Sequence, residues 1–251
     1  MQKISNNNYW TLWTVRNAFA VAVSIVAAAA IVVSYQYFAG KPDTLNEGFM
    51  NLLVMLLAAV CQGIVYGWMQ WTVLKIKFLN IKLTEWLWNT TVALVFCWSF
   101  GIIPVLLRVQ FFNPAKITEL KNQVKSDSFW LGSDILNSAA SSQSSFSYAV
   151  FGALMTGLFF GGILGFFQWL VLKKHAEKAY FWIIINSIGW ASGAIILFLT
   201  DYFIQISTPV PLKVGFETAG LIMASLAIAS LTGLLMIWIK VLDTKYETEN
   251  Y

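Results

Sequence analysis

The chain is short of charge, histidine, cysteine and proline. Of its 251 residues only 11% are Asp, Glu, Lys or Arg, against roughly 25% in an ordinary soluble domain, which excludes a soluble fold. Two cysteines cannot build a disulfide scaffold, and one histidine, His175, cannot anchor a multi-histidine metal or haem site. Sixteen basic residues thinly spread for a net charge of +4 make no nucleic-acid surface. There is no nucleophile motif, phosphate loop or paired-carboxylate constellation, so the sequence points away from an enzyme and names no cofactor.

What is present is apolar bulk: 58% hydrophobic residues and a mean hydropathy of +0.67. A membrane helix needs about 20 mostly apolar residues, and six such runs stand near 12–37, 46–74, 84–107, 146–173, 179–205 and 215–240. The expected fold is all-α: one polytopic transmembrane domain over 1–251 with six spans. The first run is too long for the core of a cleavable signal peptide and reads as an uncleaved anchor.

With the N-terminus in the cytoplasm, ten basic residues fall on inner segments and six on outer ones, four of the six in one long loop. That imbalance places both termini inside. Trp10, Trp13, Trp71, Trp86, Trp88, Trp169, Trp182 and Trp238 gather at the same inner interface. The outer loop, 108–145, reads as a short amphipathic helix (Ile117, Leu120, Val124), an interfacial contact at Trp130 and a Ser-rich tether.

The most specific feature is an internal repeat. Ala59, Gly63 and Gly67 precede Gln70-Trp71-Thr72-Val73-Leu74-Lys75, and Gly157, Gly161 and Gly165 precede Gln168-Trp169-Leu170-Val171-Leu172-Lys173, every element displaced by the same number of positions. Each copy leads across a basic turn into a span opening with Trp and Asn: Trp86 to Asn89, and Trp182 to Asn186. The unit is a helical hairpin, and the repeats, 53–107 and 152–205, are parallel ones. A third, broken copy joins the last span (Ser225, Ala229, Gly233, then Trp238 and Lys240) to the first (Trp13 to Asn17), which would make the bundle pseudo-threefold.

Small residues every fourth position let helix backbones approach where lipid supplies no hydrophobic drive. The stripes therefore mark helix contacts and put the second, fourth and sixth spans at the centre. The candidate pore or helix-contact polar residues are Gln62, Gln70, Gln168, Asn89 and Asn186. Charge is confined to helix ends and loops, which disfavours ion coupling.

The repeated Gln-Trp-x-Val-Leu-Lys ending, followed by Asn186-Ser187-Ile188-Gly189-Trp190-Ala191-Ser192-Gly193, resembles a group of uncharacterised multi-pass proteins of cyanobacteria and related bacteria. The resemblance covers spans two to five, with Ala93 and Phe96 at the Trp190 and Gly193 positions of the first copy. It implies a bacterial plasma membrane, or a thylakoid membrane, and no chemistry. The functional expectation is a non-enzymatic subunit or assembly factor of a membrane complex, partnered by lipid and by another membrane protein or its own copies. The alternative is a carrier or channel for an uncharged or lipophilic small molecule.

Overall fold

The structure, a computed structural model, describes residues 5–40, 45–111, 143–207 and 210–241. Its elements are six helices: α1 (Asn6–Ala39), α2 (Leu45–Lys77), α3 (Leu83–Phe111), α4 (Gln143–Leu172), α5 (Phe181–Ser207) and α6 (Val210–Trp238). Five of them, all but α3, are long and apolar enough to cross a membrane over their described residues. The segment that carries Trp130 and the expected amphipathic helix lies outside the described residues.

Local signals set the ends. Ser5 caps α1, its hydroxyl accepting from the Asn8 N–H at 3.3 Å. Gly40 closes the same helix at φ +76°, a backbone region that L side chains rarely adopt, with its N–H on the Gln36 carbonyl. Large apolar side chains on the outer faces, such as Phe19, Trp88 and Phe203, stay exposed, as a hydrocarbon solvent would have them.

Each helix packs on its sequence neighbours, and α1 packs on α6, so the six close into a ring of alternating direction. Among the described residues no helix occupies the middle. The expectation that α2, α4 and α6 are central is thus corrected: their small residues face the next helix of the ring. A Cβ on Gly161 would meet the Asn186 backbone, one on Gly165 would come 2.8 Å from the Ile183 Cα, and one on Gly157 would meet the Ala191 backbone. Across the α2–α3 contact, a Cβ on Gly63 would lie 2.5 Å from the Thr91 Cα, while Gly67 faces side-chain atoms of Leu87 and Thr90, both at 3.2 Å. Ala59, the first of that stripe, is fully buried.

The core is stacked along the ring axis. One end, called basal here, holds Trp13, Trp86 and Trp182 with Leu74, Leu172 and Met236. A middle tier includes Val21, Tyr66, Leu94, Leu164 and Ile228. The upper tier is thinner, with Ala28, Val32 and Ala58.

Candidate functional site

Two features share the ring axis: a basal hydrogen-bonded plug and, above it, a cavity. The plug draws on all six helices. Gln168 Nε2 donates to Gln70 Oε1 at 2.8 Å and to Thr90 Oγ1 at 3.2 Å. Gln70 Nε2 donates to Tyr66 OH at 2.8 Å and to Asn17 Oδ1 at 3.1 Å. Asn17 Nδ2 reaches Thr232 Oγ1 at 3.2 Å. Two indoles complete it: Trp182 Nε1 donates to Gln168 Oε1 at 2.9 Å and Trp13 Nε1 to Thr232 Oγ1 at 3.1 Å.

Both glutamines are essentially inaccessible, so they seal the basal end and do not line a vestibule. In membrane proteins such bonds contribute about 0.6 kcal/mol each on average. Their larger consequence is negative: a single truncation strands several buried partners.

The three basal tryptophans are all fully buried, and Trp13 meets Trp182 edge-on with ring centroids 5.8 Å apart. Trp86 differs from the other two. Its Nε1 is buried with no partner among the described residues, while Gln70 Oε1 accepts from Gln168.

Among the sequence candidates, the asparagines divide. Asn89 donates back to the Glu85 carbonyl at 2.8 Å, on its own helix, and takes no part in the plug. The buried Thr90, one residue on, takes that place. Asn186 is buried but also bonds within its helix, to the Trp182 carbonyl at 2.9 Å, so it makes no cross-helix hydrogen bond through its amide nitrogen. Asn17, Tyr66, Thr90 and Thr232 were not among the sequence candidates, although the Trp13 to Asn17 spacing pointed at the first of them.

The cavity measures about 260 Å³ and every helix contributes to its wall. Its lining falls into triads at matched depth. Val21, Leu94 and Trp190 stand eight residues beyond the three basal tryptophans, and Ile25, Trp98 and Ala194 stand twelve beyond. Gln62, Phe160 and Ala224 stand eight residues before Gln70, Gln168 and Thr232.

Among the described residues the wall is overwhelmingly apolar and carries no Asp, Glu, Lys, Arg or His. Its polar exceptions include Gln62, whose Oε1 accepts from Trp98 Nε1 at 2.9 Å, and Trp190 and Ser225. Trp190 Nε1 and Ser225 Oγ are buried atoms with no hydrogen-bond partner among the described residues. Cys61 and Cys97 are free thiols; Cys97 lines the cavity and points its Sγ at the Phe160 carbonyl, 3.7 Å away. Among the described residues no group of acidic, histidine and cysteine side chains is placed to hold a metal.

At the basal rim, Lys75 lies over the Trp71 ring at 4.5 Å and Lys173 over the Trp169 ring at 4.7 Å, an interfacial cation–π pair in each hairpin. Lys174 pairs with Glu85 at 2.8 Å, tying the two basic turns together, and Lys77 donates to the Met236 carbonyl. His175, half-buried in the α4–α5 turn, has its pKa lowered by burial; Glu85 acts against that shift and Lys174 with it. No family model matches this chain, and neither a curated protein nor a solved structure matches it.

Proposed function

We propose that the protein is an integral membrane carrier that holds an uncharged, lipophilic small molecule in the cavity on its ring axis. The observation that carries this reading is the cavity itself: a space of about 260 Å³, walled by six helices and free of charged side chains among the described residues. A cavity of about 150 Å³ lined by aliphatic and aromatic side chains stays dry and takes benzene. This one has room for a molecule of about two fused rings. The plug closes the basal end, so an open pore through the ring is disfavoured and alternating access is the natural mode.

The wider architecture supports the same reading. In this proposal α3 spans the membrane with the other five, between α2 and α4, and the basic turns mark the cytoplasmic side of a bacterial plasma membrane, with both termini inside. The hairpins α2–α3, α4–α5 and α6–α1 are pseudo-equivalent about the ring axis.

Burial supports that equivalence: Leu74, Leu172 and Met236 are all fully inaccessible four residues past Gln70, Gln168 and Thr232. It also moves the third copy by one helical turn from the register expected above. Ala229, and not Gly233, then matches Gly67 and Gly165, and Thr232 takes the glutamine's place.

The test uses the full chain in nanodiscs with 2-ethylnaphthalene as probe. Saturable binding is expected, and Ala194→Phe, which fills the cavity, should weaken it more than tenfold while the protein stays folded. Non-saturable partitioning, the same in both proteins, would refute the carrier reading. A stoichiometric protein partner retained from native membranes, together with that result, would restore the reading as subunit or assembly factor.

A further inference from the structure

The side-chain amides of the helices bear on what the cavity binds. Among the described residues five of them are buried: Asn17, Gln62, Gln70, Gln168 and Asn186. Four direct their NH2 group at protein acceptors, in the plug or on their own helix. Gln62 does not, and of the five it is the one that lines the cavity.

Trp98 settles which end of the Gln62 amide is left over. An indole N–H only donates, so the atom 2.9 Å from Trp98 Nε1 is the Gln62 oxygen, and the other branch is the nitrogen. That nitrogen has no hydrogen-bond partner among the described residues. Nor is it sealed in the protein, as the unpartnered Trp86 Nε1, Trp190 Nε1 and Ser225 Oγ are. Gln62 as a whole is 6% exposed, and the surface it keeps faces the cavity it lines.

The pair occurs in one hairpin. Eight residues before Gln168 and Thr232, the counterparts of Gln62 are Phe160 and Ala224, and twelve past Trp13 and Trp182, the counterparts of Trp98 are Ile25 and Ala194. Apolar side chains thus meet the packing needs at these depths in the other two hairpins. In the remaining one α2 sets an amide in the wall, and α3 supplies the indole that orients it.

We infer that the cavity selects a compact, uncharged lipophile bearing a carbonyl-type oxygen, which Gln62 Nε2 takes, with Trp98 as the positioning residue. This rests on the carrier reading and narrows it. An amide NH2 group only donates, so it calls for an acceptor. No cation stands among the described residues of the wall, and a carboxylate or phosphate would be buried there without a counter-charge, so the acceptor is a neutral oxygen.

The experiment compares 2-acetonaphthone, isotopically labelled at its carbonyl carbon, with 2-ethylnaphthalene of matched shape, on the full chain in nanodiscs. Preference is the ratio of the two affinities within one protein, so a change in cavity size that affects both probes cancels. A hydrogen bond kept from water should favour the ketone about tenfold, and the carbonyl carbon resonance should move downfield of its position in lipid. Gln62→Met keeps the length of the side chain and removes the amide, but it frees the Trp98 indole, so the preference should fall several-fold. Gln62→Met combined with Trp98→Phe should abolish the preference and return the resonance to its position in lipid. Trp98→Phe alone keeps the donor and loses its aim, so the preference should fall about twofold with the resonance still downfield.

Equal, saturable affinity of the unaltered protein for the two probes would overturn the inference and leave the carrier reading standing. A ketone preference that survives the double substitution would overturn the assignment to Gln62. A bound ketone whose carbonyl resonance stays at its lipid position would overturn the inference even if the variants failed to fold. Saturable binding of neither probe would sink the carrier reading and this inference with it.

Discussion

The two halves of the ring solve the same problem differently. In both, six helices must meet around an axis on which no helix lies. The basal half fills that axis with three tryptophans and a hydrogen-bonded network drawn from all six helices, although the indole N–H of Trp86 stays without a partner among the described residues. The upper half leaves it hollow behind a largely apolar wall. Hydrogen bonds are directional and mutually dependent, so the basal half has one arrangement. The apolar wall above has no such constraint, which suits the ligand cavity proposed there.

The largest effect is expected where helix backbones touch. A Cβ on Gly161 would collide with the Asn186 backbone, whereas one on Gly67 would meet only side-chain atoms at 3.2 Å. Gly161→Ala should therefore cost about 3 kcal/mol and Gly67→Ala about 1 kcal/mol or less, read by denaturant titration in detergent. Similar costs at both sites would mean that the two stripes pack alike, contrary to the geometry.

Next come the glutamines of the two halves. Gln168→Ala strands Gln70, Thr90 and Trp182 and should cost about 2–3 kcal/mol, while Gln62→Ala loses one bond to Trp98 and should cost about 1 kcal/mol. An equal loss in the same titration would erase the distinction between a coupled plug and an isolated contact.

The tryptophans give a finer version of that contrast. Trp182→Phe should lose about 1 kcal/mol more than Trp86→Phe, because only Trp182 has a hydrogen bond to lose. If Trp86→Phe proves the more damaging, its indole has a partner that the geometry does not supply.

The smallest effect lies outside the helices. The folded protein holds His175 below the usual imidazole value of 6.5, so it favours the neutral ring. The unfolded chain then binds the proton at higher pH, and this contribution to stability is present above pH 6.5 and fades as pH falls through the folded value. Imidazole resonances of the single histidine should titrate below 6.5, and a midpoint above it would mean that Glu85, not burial, dominates.

Much of the fold was legible in the sequence because a membrane helix has a fixed length and a simple composition. Six apolar runs mapped onto six helices with boundaries a few residues apart. Gln70 and Gln168 stood out by repetition, and they do bond each other. Thr232 did not, for a physical reason: a stripe with a spacing of four looks the same when slid by four, so periodicity alone cannot set the third copy's register.

Asn89 misled because it stands three residues past Trp86, whereas Asn186 stands four past Trp182 and Asn17 four past Trp13. The position four past Trp86, on the buried face, is Thr90. The cavity left no trace at all, since a void is a property of how six side-chain sets sum, and no local pattern records the sum.

The seam between α1 and α6 joins residues far apart in the chain. Trp13 and Asn17 enter the bilayer early, yet both meet Thr232, 219 and 215 residues later in the chain. Until α6 follows, an asparagine and an indole on the first helix face lipid or a temporary companion, and the plug lacks one of its six contributors. Ring closure thus waits on α6, because Thr232 supplies the partner that the indole of Trp13 and the amide of Asn17 share.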